Sequence, residues 1–271
     1  MAIAGKVSGT MPVAFFGHGS PMNTLEKNQH TLAWERFGVE TGKPTGIVCV
    51  SAHWFTRGTA VTAMAQPRTI HDFGGFPQAL YEVRYPAAGS PALAARVKSL
   101  LAPVNVLEDT KEWGLDHGAW SILVHVYPQA DIPVIQLSID ATQPPEYHYR
   151  MAQRLAPLRD EGVLLMGSGN VVHNLGAVDW AGDAAARPWA SEFNATVRGR
   201  LAANDDNALL HLEQQGSAAA LSVPTLEHYL PLVYIVALRR PTDGLRVLTD
   251  GVELGAISML SVAFGEALGT K

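Results

Sequence analysis

Four histidines of this chain sit in contexts that suit metal or proton chemistry. His18 lies in Phe16-Gly17-His18-Gly19-Ser20-Pro21, between two glycines and directly after the apolar run Val13-Ala14-Phe15-Phe16. His53 ends Ser51-Ala52-His53-Trp54, after the apolar run Gly46 to Val50. His173 closes Gly167-Ser168-Gly169-Asn170-Val171-Val172-His173-Asn174, after Val163 to Met166. His228 precedes Tyr229-Leu230-Pro231. Proline is tolerated in the first turn of a helix but not in its interior, so His228 stands at or just before a helix N-terminus. Imidazole suits zinc, iron, copper and nickel, and it titrates near neutral pH. The separations are long (53 − 18 = 35; 173 − 53 = 120). They rule out a compact zinc finger, so a fold must bring the rings together.

Competing chemistries are weaker. Ser20 lies beside His18 but not at the separation of a hydrolase nucleophile and base, and Gly167-Ser168-Gly169 lacks the full nucleophile-elbow pattern. No Gly-x-Gly-x-x-Gly opens a helix after a strand, and no phosphate-binding loop is present. The net charge of -5 gives no electrostatic reason to expect nucleic acid or an anionic membrane surface. The lone Cys49, inside Ile47-Val48-Cys49-Val50, excludes an internal disulfide and reads as a buried, inert thiol. No apolar stretch is long enough for a signal peptide or a membrane span, so a cytoplasmic protein is expected.

The elements that must position these histidines follow from the apolar runs. With 271 residues, 47% hydrophobic and 17% charged, the chain can bury a full core. Buried strands are expected at Val13–Phe16, Gly46–Val50, Ile132–Leu137 and Val163–Met166, with lesser ones at Thr59–Met64, Tyr81–Tyr85 and Val104–Leu107. Helices are expected at Thr31–Phe37 and from Ser90-Pro91 to Leu101. Another follows Asp116-His117-Gly118, with a core stripe of Trp120, Leu123, Val124 and Tyr127. Further helices are expected at Glu146–Leu158 (bent at Pro157), Trp189–Leu201, Asp205–Leu212 and Leu230–Leu238. Residues Ser217–Ser222 read as loop. The strands Leu245–Leu248 and Ile257–Phe264 would pair antiparallel at the end. Strands and helices interleave without repeats or charged linkers, so the chain reads as one α/β domain over residues 1–271. Its sheet is mixed and mostly parallel, with helices on both faces. If the first, second and Val163 strands are parallel neighbours, their carboxyl ends place His18, His53 and His173 on one rim, where open α/β sheets bind ligands. His30, His125, His148 and His211 read as structural or exposed.

The motifs taken together resemble the class III extradiol ring-cleavage dioxygenases, in their DOPA 4,5-dioxygenase-like branch with its bacterial members. The residues that carry the resemblance are Gly17-His18-Gly19-Ser20-Pro21, Ser51-Ala52-His53-Trp54, His71-Asp72-Phe73-Gly74-Gly75-Phe76-Pro77 and Asp116-His117-Gly118. Gly169-Asn170-Val171-Val172-His173-Asn174 and Glu227-His228-Tyr229-Leu230-Pro231 complete the set, which runs in order from about 12 to 264. The resemblance implies a mononuclear metal at the carboxyl rim held by His18, His53 and His228. It implies His173 as a further ligand or as the acid/base, and His117 on the substrate side. Iron(II) is the metal it implies for catalysis, with zinc bound in its place in related sites. The implied substrates are a catechol of DOPA type and O2, giving a ring-opened semialdehyde, with His117 and His173 sharing the proton work. Related extradiol enzymes supply a Glu as third ligand. Here that stretch offers His228, with Glu227 adjacent. His71, Phe73 and Tyr229 either shape the aromatic pocket or simply pack, and the loop from His71 to Pro77 is expected to border the site. An all-histidine site also suits a zinc-dependent hydrolase, and a protein that only binds phenols or metal is the non-enzymatic alternative.

Overall fold

Strand β1 (Val13–Gly17) is buried along its whole length, which a strand covered on both faces requires. Its side chains alternate: Val13 and Phe15 join one core, Ala14 and Phe16 the other. The same two-sided burial holds for β2 (Gly46–Thr56) up to Ala52, for β5 (Val134–Asp140) and for β6 (Val163–Gly169). The computed structural model describes residues 10–181 and 185–266. The remaining strands are β3 (Thr59–Thr62), β4 (Val106–Asp109), β7 (Gly244–Thr249), β8 (Val252–Glu253), β9 (Ile257–Ser258) and β10 (Ser261–Gly265). The helices are α1 (Gln29–Thr41), α2 (Gln78–Glu82), α3 (Pro91–Leu101), α4 (His117–Val126), α5 (Pro145–Gln153), α6 (Pro157–Asp160), α7 (Pro188–Ala203), α8 (Asp206–Leu210), α9 (Gly216–Ser222) and α10 (Leu230–Ala237).

The main sheet has eight strands in the order β4-β3-β5-β2-β6-β1-β10-β7. The central run β5-β2-β6-β1 is parallel throughout. Antiparallel pairs lie toward the edges, β3 with β5 on one side and β1-β10-β7 on the other. One core packs the sheet against α3, α5, α7 and α10, and the other packs it against α1 and α4. This is the expected mixed, mostly parallel α/β fold with helices on both faces. Cys49 is fully buried, and burial pushes its thiol well up, with Asp116 adding to the effect. Among the described residues no helix is long and apolar enough to cross a membrane.

Four local expectations change. Tyr81–Tyr85 is not a strand. The segment enters α2, which Pro77 precedes and whose Leu80 is fully buried. Ser217–Ser222 is helical as α9, because its alanines are the best helix formers rather than turn residues. Glu146–Leu158 is two helices instead of one bent one. Pro157 has no N–H to continue α5 and instead opens α6. The last strand splits into β9 and β10.

Candidate metal centre

Strand β6 lies between β1 and β2, parallel to both, so the three carboxyl ends share one rim. His18 follows β1 at once, its N–H donating to Gly169 O at 3.1 Å. His53 lies in β2, where the pairing with β5 shifts register between Val50 and Phe55. His173 follows β6, its N–H donating to Ser222 O at 2.9 Å. His228 stands two residues before α10, and its carbonyl accepts the Asn170 N–H at 2.8 Å. A Cβ on Gly169 would lie 2.1 Å from that carbonyl, so only glycine lets the His228 loop rest on the end of β6. His117 is the first residue of α4, whose N-cap Asp116 accepts the Ala119 N–H at 3.1 Å.

The five rings meet in one cavity of about 220 Å³. Ring centroids are 5.1 Å apart for His18 and His53, 5.4 Å for His18 and His228, and 5.2 Å for His53 and His228. His117 packs on His53 at 3.9 Å, and His173 stacks on His228 at 3.4 Å with 7° between planes.

The surroundings set the tautomers of the three central rings. Ser168 Oγ donates to Gly118 O at 2.6 Å, so it accepts from His18 Nδ1 at 3.0 Å. His53 Nδ1 faces Asp72 Oδ2 at 3.3 Å, and His228 Nδ1 faces Glu227 Oε1 at 3.2 Å. His18 Nδ1 and His228 Nδ1 therefore carry the proton, and the Asp72 carboxylate near His53 Nδ1, close in distance but outside hydrogen-bond alignment, favours the same tautomer there, which leaves a bare lone pair on each Nε2. His228 Nε2 is buried without a partner among the described residues. His18 Nε2 and His53 Nε2 are 3.4 Å apart. Two nitrogens at about 2.1 Å from a tetrahedral ion stand about 3.4 Å apart, so this pair is spaced for a metal. Ligand atoms within 4.8 Å of one another fall into two groups, His18-His53-His117 and His173-Glu227-His228, so a centre of His18, His53 and His228 draws one ligand from the second group. An outer acceptor behind each ligating imidazole is the usual arrangement of metal sites.

The charges agree. Burial, then repulsion from the neighbouring imidazoles, holds His18 and His228 well below their usual range. Burial, with His117, lowers His53 to about 3 against the pull of Asp72. Burial brings His173 to about 4. At neutral pH these four rings are neutral, the form that ligates. Burial would raise the Asp72 carboxyl, but the hydrogen bond and charge of His117, with His53, outweigh it and hold it at about 2.

Residues expected from the sequence divide into two groups. His18, His53, His117, His173 and His228 all line the cavity. Of the His71–Pro77 loop, Asp72 and Phe76 reach it. Phe73 stands behind, its ring 5.4 Å from both Phe76 and His117. The ring of His71 is spent on Val83 O, 3.1 Å from Nε2. Tyr229 faces away. It is fully buried and its hydroxyl donates to Leu209 O at 3.0 Å, because the turn into α10 directs it into the core. Glu227 backs His228 and is itself held by the Thr225 hydroxyl at 2.8 Å. Sequence reasoning missed Asp72, Ser168 and the apolar rim of Leu175, Trp180, Leu254 and Ile257. The rim comes from loops without periodicity. Ser168 was visible only as the polar residue in Gly167-Ser168-Gly169 at a strand end.

Comparison with known proteins agrees with this geometry. The family described as the catalytic LigB subunit of aromatic ring-opening dioxygenase matches residues 13–238. A protein of Escherichia coli strain K12 named 4,5-DOPA dioxygenase extradiol is 51% identical over 259 residues, covering 94% of this chain and 95% of that one. One of the same name from Beta vulgaris is 38% identical over 224 residues, 80% of this chain and 83% of its own. The crystal structure of an uncharacterized Escherichia coli K12 protein superposes with a TM-score of 0.83 at 46% identity, over 94% of this chain and all of the other. The chain thus belongs to the LigB family of ring-opening dioxygenases, the class III extradiol enzymes.

Proposed function

We propose that the chain cleaves a catechol ring with O2 at one metal held by His18, His53 and His228, and that its substrate is of DOPA type. The observation that carries this is the meeting of three neutral imidazoles with ring centroids 5.1–5.4 Å apart, two of whose Nε2 atoms lie 3.4 Å apart. Iron(II), the expected ion, would supply Lewis acidity toward the two catechol oxygens and an electron route between ring and O2; zinc fits the same nitrogens. His173, neutral at pH 7, is equipped to take the proton a catechol must lose on binding. His117, with Nδ1 3.0 Å from Asp72 Oδ1, presents its bare Nε2 to the cavity, where it can accept a proton from the substrate and return it later. Phe76, Leu175, Trp180, Leu254 and Ile257 flank the ring and exclude water. No Lys or Arg lines the cavity among the described residues, so a charged substituent would lie toward the solvent side.

The test is anaerobic reconstitution of metal-free protein with Fe(II) or Zn(II), followed by a panel of catechols and O2. Oxygen uptake with formation of a ring-opened semialdehyde is expected with Fe(II). Ester hydrolysis by the zinc form without oxygen would mark a hydrolase instead, and metal binding without any turnover a binding protein.

A further inference from the structure

One carboxylate serves two of the five histidines. Asp72 Oδ1 accepts the backbone N–H of His117 at 2.9 Å and stands 3.0 Å from His117 Nδ1. The latter contact is close in distance but outside hydrogen-bond alignment. Asp72 Oδ2 stands 3.3 Å from His53 Nδ1, likewise a charge contact outside hydrogen-bond alignment. The carboxylate is anchored by a helix-terminal N–H of α4, at the buried end next to the N-cap Asp116. An imidazole lone pair turned toward a carboxylate oxygen at this distance is repelled, whereas an N–H is attracted. Both rings are therefore driven to carry their proton on Nδ1.

We infer that Asp72 is a positioning residue that fixes the tautomers of His53 and His117 together, keeping one nitrogen of each free for the cavity. The inference rests on the metal-centre proposal above. It makes a distinctive prediction for Asp72→Asn. The asparagine keeps its only acceptor, Oδ1, on the buried His117 N–H, which has no other partner among the described residues. Its NH2 then faces His53 Nδ1. Two N–H groups cannot face each other, so His53 moves its proton to Nε2, the nitrogen the metal needs. Asp72→Ala imposes no such switch, because His53 Nδ1 is then free to donate to water. The carboxamide, nearly isosteric with the native side chain, is thus the more damaging replacement for the metal.

The experiment is zinc affinity of the metal-stripped full-length protein, by competition with a chelating dye. Wild type binds zinc. Asp72→Asn loses about 10–100-fold, the usual cost of losing an outer partner of a ligating histidine, and Asp72→Ala loses less. In a His53→Ala background Asp72→Asn has no further effect on zinc affinity. Asparagine binding as tightly as wild type, or alanine as weak as asparagine, overturns the inference. A wild type that binds no zinc and no Fe(II) overturns the metal centre itself, and with it this inference. A second measurement needs no variant. Imidazole 15N shifts of the metal-stripped wild type should report the Nδ1-protonated tautomer for His53 and His117, and the Nε2-protonated tautomer at either would refute the role.

Discussion

Replacing Gly118 with alanine should destabilise a helix in which alanine is normally preferred. Gly118 is the second residue of α4. Elsewhere in a helix interior the change stabilises by about 1 kcal/mol. Gly199, inside α7 with open space around it, is the control expected to show that gain. At Gly118 the new Cβ would lie 2.5 Å from Ser51 Oγ, 2.8 Å from His53 Cδ2 and 3.2 Å from Asp116 Oδ1. Ser51 has little freedom to yield, since its hydroxyl donates to Asp116 Oδ1 at 2.7 Å and accepts the His53 N–H at 3.3 Å. Asp116 is held in turn by Gln136 Nε2 at 2.7 Å. The His53 ring is backed by His117 at 3.9 Å. Overpacking a site of this kind costs about 1–3 kcal/mol, which offsets the helix gain and leaves a net loss of up to about 2 kcal/mol. For a chain of this size each kcal/mol is about 2–4 °C in Tm. Relief requires His53 Cδ2 to retreat by about 0.6 Å, and Nε2 is bonded to it. Metal distances tolerate only about 0.2 Å, so zinc affinity should fall at least about 10-fold. Thermal unfolding and chelator competition on Gly118→Ala and Gly199→Ala decide the matter. A Gly118→Ala protein with raised Tm and unchanged zinc affinity would refute the argument.

His117→Ala should retain metal while kcat falls by about 10²–10⁴, and loss of metal by this variant would make His117 a ligand. His173→Ala should show the same split if the stacked ring moves protons, whereas a parallel drop in metal affinity would mark it as a fourth ligand. Burial lowers His148 to about 4, between Tyr234 and the Asp140 carbonyl. Its folded value lies below its unfolded one, so its contribution is intact above pH 6.5 and is lost as pH falls toward 4, about 3 kcal/mol in all. Denaturation of metal-free protein across that window should show a shallower pH slope in His148→Gln, and an unchanged slope would count against the assignment. Trp180, 66% exposed at the cavity mouth, should raise KM for a catechol when replaced by alanine, with little change in Tm. A change confined to kcat would place it elsewhere in the cycle.

The parts of the site that were readable in the sequence share a physical cause. A buried strand ending in small residues must deliver its next side chain to the sheet rim, so His18 announced itself; His53 was expected after a strand ending at Val50 but lies within the longer β2, at its register shift against β5. Pro231 marked the start of α10 and hence the place of His228. What lay beyond that reach was direction. Tyr229 is adjacent to His228 yet points into the core, because one step along a tight turn reverses a side chain's outlook. Phe73 and Phe76 looked equivalent in the sequence, but only Phe76 meets the cavity. Asp72 was visible as a letter in a loop, while its task depends on the approach of α4 from 45 residues away. Nor does small-residue composition separate loop from helix, as the alanines of α9 show.

The insertion of β6 between β1 and β2 has a consequence for how the protein is made. During synthesis the first two strands emerge early, but they are not neighbours in the finished sheet; each pairs with β6 instead. His18 and His53 face each other only once a strand from the second half of the chain has slotted between their own. His228 arrives some sixty residues later (228 − 169 = 59). No half-made chain holds the three nitrogens together, so a nascent polypeptide offers the cell's metal pool no complete trap. In the proposed centre the ion would enter after the long-range pairing is finished, past the exposed lining residues Leu175 and Trp180. Which metal such a centre takes would then be settled by what is available to the folded molecule, rather than by what met it on the ribosome.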